Sequence, residues 1–259
     1  MRIKLLIILS MSLVLVLVPF LSADAKEWQS MKSRYFIVYY RMEVPEDFVN
    51  TVIESAEDDY QMVSARLGFS VYQGWKNPVN LYIYKDKDDY INNGSQVGWS
   101  HGAAQVGIKT IKTFPSDQGF FDSLLPHELG HIILHEYLGE NTNIPLWFNE
   151  GFAMFQEKAK RIGANKLVKE ALLNAQFIPL TQLTDMRLYR NSDPKIIELF
   201  YAESASLVNF MINELGESRF RKLCANLRDN LPFEIALSNA MYMNMSTLNK
   251  KWIEFLRNQ

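Results

Sequence analysis

Two short stretches decide how this chain is read: His127-Glu128-Leu129-Gly130-His131 and Trp147-Phe148-Asn149-Glu150-Gly151-Phe152-Ala153. The first has the H-E-x-x-H spacing. Residues four apart on an α-helix lie about 40° apart around its axis and roughly 6 Å apart along it. Two imidazoles at that spacing can converge on one metal ion. Glu128 then sits beside the ion rather than on it, within reach of a water whose proton it can take. Three of the four histidines in the chain (His127, His131, His135) fall within nine residues.

The flanking sequence predicts a helix over 122–138. Asp122 or Ser123 can cap it, and Pro126 falls in the first turn, where its missing N–H does no harm. Leu125, Leu129, Ile132 and Ile133 give it an apolar side. Gly130 costs about 1 kcal/mol relative to Ala inside a helix, so close packing against its backbone is expected.

Two histidines leave zinc short of a third protein ligand. The extended pattern that supplies a third His needs Gly and His at the positions held by Leu134 and Tyr137, so it fails. The second stretch offers a carboxylate instead. Glu150 has Leu146, Trp147, Ala153 and Met154 as helical neighbours. A carboxylate on such a face is costly unless paired or bound to a metal.

The two stretches, with eighteen residues between His131 and Glu150, resemble the gluzincin metallopeptidases. The second is similar to the W-L-N-E-G-F-A pattern of aminopeptidase N-like enzymes, and the whole chain looks most like the smaller peptidase MA-like group. The resemblance implies an α+β, zincin-like fold, with a small N-terminal mixed α/β lobe and a C-terminal helical lobe. It implies one Zn²⁺ held by His127, His131 and Glu150, with Glu128 as general base toward a zinc-activated water. It also directs attention to Tyr201, which matches the oxyanion-binding Tyr of Y-x-K-G-A-type helices. Glu203-Ser204 stands where that pattern has Lys-Gly. Tyr201 also lies on the apolar stripe Ile197, Phe200, Ala205, Val208, where a core tyrosine would look the same.

No G-A-M-E-N-like run precedes the motif; Gly102-Ala103-Ala104-Gln105-Val106-Gly107-Ile108 stands in its place. In the gluzincin arrangement this segment is the edge strand on which substrate backbone pairs, so Ala103, Ala104, Gln105, Val106 and Gly107 are the substrate-binding candidates. The departure favours an endopeptidase over an aminopeptidase. His101 has two readings, cleft or surface. His135 reads as a residue behind the ligands, because the ligand set is complete without it.

Elsewhere the chain is ordinary. It has 259 residues, 48% of them apolar, and a net charge of −2, which argues against a nucleic-acid partner. One cysteine excludes an internal disulfide framework and any multi-Cys metal site. Cys224 falls on a helical apolar stripe and reads as a buried small residue. Arg2 and Lys4, an apolar run over 5–21 and Ala23-Asp24-Ala25 predict a secretory signal over 1–25, or an uncleaved N-terminal anchor. Either places the remainder, a peptidase domain over 26–259, outside the cytoplasm: secreted, periplasmic or cell-surface associated. Within it, 26–120 reads as the α/β lobe and 121–259 as the helical lobe. Strands are expected over 35–40, 79–84 and 103–113, a helix from Pro45 to Leu67 stopped by Gly68, and a turn at Asn92-Asn93-Gly94. Further helices are expected over 146–160, 164–175, 194–215 (capped by Gly216), 217–228, 232–241 and 246–257.

The expected function is therefore an exported zinc metallopeptidase acting on a peptide or protein substrate. Two rivals share the pattern: a non-catalytic binding or assembly protein on the same fold, and a zinc amide hydrolase acting on cell-wall peptides.

Overall fold

The computed structural model describes residues 28–68, 78–94, 102–116, 119–139, 142–157, 160–189 and 191–259. The expected signal segment and His101 lie outside these residues. Among the described residues, no helix is long and apolar enough to cross a membrane.

The first part of the chain is a five-stranded mixed sheet in the order β1-β2-β3-β5-β4: β1 (Trp28–Lys32), β2 (Phe36–Arg41), β3 (Val79–Ile83), β4 (Gly102–Gln105) and β5 (Thr110–Thr113). The two central pairings, β2–β3 and β3–β5, are parallel; the two outer ones are antiparallel. Alternation sorts the side chains by face. Phe36, Val38, Tyr40, Val79, Leu81, Ile83 and Ile111 enter the core, while Tyr39 and Tyr82 stack on the opposite face at 4.7 Å. Helix α1 (Glu46–Leu67) follows Pro45 and ends at Gly68, whose φ of 73° is the left-handed cap that glycine adopts freely. The short helix α2 (Lys87–Asp89) brings Asp89 onto Arg41 in a two-pronged ion pair, with Arg41 Nε donating to Oδ2 at 2.9 Å and Nη2 to Oδ1 at 3.1 Å. The Asn92-Asn93-Gly94 region is a wide π-type turn over Tyr90–Gly94 rather than a tight one.

The second part is helical: α3 (Leu125–Leu138), α4 (Leu146–Gln156), α5 (Lys160–Leu173), α6 (Leu180–Asp185), α7 (Pro194–Asn213), α8 (Glu217–Arg228), α9 (Phe233–Met241) and α10 (Met245–Asn258). Helix α3 packs on α1 and β4, and α4 is wedged between α3 and α7. The apolar side of α4 is locked by aromatics. Phe148 and Phe152 both stack on Phe220 of α8, and Trp147 meets Phe233 of α9 edge-on. The Trp147 indole N–H donates to Thr184 on α6 at 3.1 Å. Pairs of this kind contribute about 0.5–1.5 kcal/mol each beyond their burial.

Several expectations are corrected. The single strand over 103–113 is a hairpin: the chain leaves β4 after Gln105, makes a 3₁₀ turn over Val106–Ile108, and passes Lys109 at φ 45° before β5. Val106 and Gly107 therefore belong to the turn, not to the edge strand. Neither Asp122 nor Ser123 caps α3. A π-type turn over Phe120–Leu124 feeds the helix directly, because the Ser123 hydroxyl has a different partner. Gly216 does not close α7, which ends at Asn213; with φ 105° it precedes α8, and its carbonyl accepts from the Arg219 and Phe220 N–H groups. Helix α4 stops at Gln156, four residues early, since Glu157 turns extended and inward. Strand β1 and helix α6 lack a clear sequence period and were not anticipated.

Candidate metal centre

Helix α3 presents His127 and His131 on the side facing α4. The close approach of α4 depends on two glycines. A Cβ on Gly130 would lie 3.0 Å from Ala153 Cα, and one on Gly151 would lie 2.6 Å from Val208 Cγ2 and overlap the Ser204 carbonyl oxygen. The first glycine lets α4 press on α3, as its cost in the sequence suggested. The second lets α7 press on α4 from the other side.

The result is a tight group. His127 Nε2 and His131 Nε2 are 3.2 Å apart, and Glu150 Oε2 lies 3.8 Å from the first and 3.6 Å from the second. Ligands at roughly 2.0–2.1 Å around a tetrahedral zinc would be about 3.3 Å apart, so the three atoms form one face of a suitable tetrahedron. Among the described residues, His127, His131 and Glu150 are a group of metal-ligating type.

The outer ring nitrogens determine what the inner ones can do. His127 Nδ1 is 2.8 Å from Glu157 Oε1, and His131 Nδ1 is 3.1 Å from Asn149 Oδ1. Both partners are acceptors, so each Nδ1 donates its proton. In the neutral rings that tautomer leaves each Nε2 a lone pair, facing the other and a carboxylate oxygen. Three lone-pair donors converging with no donor between them fit a cation.

The titration behaviour follows. Burial opposes charge on His127, but the Glu157 hydrogen bond and the carboxylates of Glu128, Glu157 and Glu150 outweigh it and raise its pKa. His131 is pushed down to about 4 by burial and then by His127, so it stays a neutral ligand. Burial raises the Glu150 carboxyl, against the pull of His127.

Glu128 follows His127 on α3 and its charge acts on His127, His131 and Tyr201. Tyr201 lies on α7, half-buried against Met154, Ala164 and Ala205. Burial, then the charges of Glu150 and Glu128, push its phenol up to about 12, so it remains a proton donor. Ala103, Ala104 and Gln105 lie on β4, which runs along α3; among the described residues its outer edge carries no strand. Glu136 of α3 ties this hairpin down through Lys109 at 2.8 Å. His135 lies against the Asn149 side chain, behind His131. Two residues of this site went unread in the sequence, Asn149 and Glu157. Asn149 sat within the quoted motif, but nothing there assigned its side chain. Glu157 fell inside the helix expected over 146–160 with no role of its own; it lies just past the end of α4 and is fully buried.

A family model for the peptidase MA superfamily matches residues 62–258. The chain belongs to the peptidase MA superfamily. Its sequence is 29% identical to protein SprT of Photorhabdus laumondii over 66 residues, which is 24% of this chain and 34% of SprT. Its fold is similar to yeast LTA4 hydrolase in complex with bestatin, at a TM-score of 0.50 and 15% identity, over 88% of this chain and 37% of the hydrolase. Native yeast LTA4 hydrolase aligns at a TM-score of 0.44 and 16% identity, over 90% of this chain and 38% of that one. The chain thus spans about a third of the length of these relatives. The family supports a metallopeptidase-like function, and the His-His-Glu group is compatible with zinc.

Proposed function

We propose that this protein is a zinc metallopeptidase that cleaves peptide bonds with water. The observation that carries the reading is the convergence of three metal-ligating atoms, His127 Nε2, His131 Nε2 and Glu150 Oε2, with Glu128 beside them. Zinc, when bound there, supplies the Lewis acidity that polarises a carbonyl and makes a water acidic near neutral pH. The remaining work belongs to the chain. The Glu128 carboxylate takes the proton of the attacking water and returns it to the leaving amine. The Tyr201 hydroxyl donates a hydrogen bond to the oxygen that gains charge at the attacked carbonyl. Strand β4 offers its outer edge to an extended substrate, whose backbone pairs with Ala103, Ala104 and Gln105.

That edge also supports an endopeptidase. The segment Gly102-Ala103-Ala104-Gln105 contains no acidic side chain to pair with a free substrate amino terminus. Action outside the cytoplasm is part of the same proposal and rests on the N-terminal sequence alone.

Profiling the zinc-loaded protein on mixed peptide libraries, beside Glu128→Gln, tests the reading. Glu128→Gln should keep its zinc and lose nearly all cleavage. A variant as active as wild type would sink the mechanism. Glu150→Ala should lower zinc content in metal analysis of the purified protein.

A further inference from the structure

The two imidazoles of the group are supported unequally. His131 leans on a neutral amide, Asn149 Oδ1 at 3.1 Å. His127 leans on a carboxylate, Glu157 Oε1 at 2.8 Å. Glu157 is 0% exposed, and its second oxygen, Oε2, accepts a hydrogen bond from the Ser123 hydroxyl. A hydroxyl, a carboxylate and an imidazole thus form a chain from the π-type turn at Phe120–Leu124, across the start of α3, to the metal-facing nitrogen.

We infer that Ser123 and Glu157 are positioning residues for His127, and that through them the π-type turn is part of the metal centre. The inference rests on the zinc reading above. Three physical points carry it. The carboxylate only accepts, so it fixes the proton on Nδ1 and frees Nε2 for the metal. A negative charge on the far side of the ring makes that imidazole the stronger donor of the two. Ser123 occupies one carboxylate oxygen, so Glu157 cannot rotate away without its buried carboxylate giving up its bonds to both a hydroxyl and an imidazole N–H. The same interaction accounts for two irregularities of the backbone: Ser123 does not cap α3, and α4 ends where Glu157 turns inward.

The test is the zinc dissociation constant, measured by competition with a chromophoric chelator. It is run on wild type, Glu157→Gln, Ser123→Ala and Ser123→Thr, with the thermal melt of each metal-free form as a folding control. Glu157→Gln keeps the size and an acceptor but removes the charge, and it should weaken zinc binding by about 10–100-fold. Ser123→Ala should weaken it by a smaller factor, and Ser123→Thr, which restores the hydroxyl, should recover the loss. Recovery by threonine is a result that loss of packing would not give. If Glu157→Gln fails to fold, the Ser123 pair decides alone. Wild-type affinity in Glu157→Gln or in Ser123→Ala overturns this inference and leaves the metal reading standing. A wild-type protein that takes up no zinc overturns both.

Discussion

At the scale of single residues, the site separates groups that hold from groups that react. His131 is held neutral by burial, while Tyr201 is held protonated by burial and by two carboxylates. A tyrosine kept as a donor near an acid–base pair should matter only when charge develops. Tyr201→Phe is therefore expected to lower kcat by roughly 10²–10³-fold with little change in KM. Steady-state kinetics on a peptide found by profiling would check this, and a variant with unchanged kcat would return Tyr201 to the core. Tyr201 stood out only through the family resemblance, whereas the group His127, His131 and Glu150 was legible because its chemistry is carried by residue type and spacing. Asn149 and Glu157 were not, because an amide or carboxylate that serves a neighbour has no spacing rule of its own.

At the scale of elements, α4 is the piece on which the site depends. Its aromatic side is fixed against α8 and α9, and its polar side carries Asn149 and Glu150 between α3 and α7. Gly151 sets the distance to α7. Gly151→Ala should cost about 1–3 kcal/mol through overpacking and displace Glu150, lowering both the denaturation midpoint and the zinc content. Undiminished stability would mean that α7 can move away freely. The helices were mostly readable from apolar spacing, and the metal motif from residue identity. The hairpin over β4 and β5 was not, since Gly107 and the positive φ at Lys109 reverse a run that reads as uniformly strand-like. The ends of α3 and α4 were also misplaced, for one reason: Ser123 and Glu157, a residue from each end, are engaged with each other.

At the scale of the whole molecule, stability should depend on metal and on pH. Under the proposed zinc function, the three ligands come together in the folded chain only, so zinc at 1,000 times its Kd would add about 4 kcal/mol. For a domain of this size that corresponds to a Tm higher by on the order of 10 °C. Calorimetry before and after chelation should show the drop, and refilling with zinc should reverse it. A second dependence comes from Glu203 on α7, fully buried, with Oε1 accepting the Ile178 N–H at 2.8 Å and Oε2 without a hydrogen-bond partner. Burial raises its carboxyl from 4.5 to about 8. Between those values the unfolded chain loses a proton that the folded chain keeps, so stability falls as pH rises from about 4.5 to 8. Glu203→Gln should flatten that fall, with its Tm advantage over wild type a few degrees larger at pH 8 than at pH 5. Parallel Tm–pH curves would count against a buried neutral acid here.

Cys224 adds a practical consequence. It is the only sulfhydryl in the sequence, it is fully buried in α8 beside Leu223 and Leu227, and burial raises its pKa far above the usual thiol range. The folded surface is therefore blank to thiol reagents. Slow labelling of the native protein would act as a clock for its opening, and a cysteine engineered at exposed Gln29 would be the one site a dye could reach while the chain stays closed.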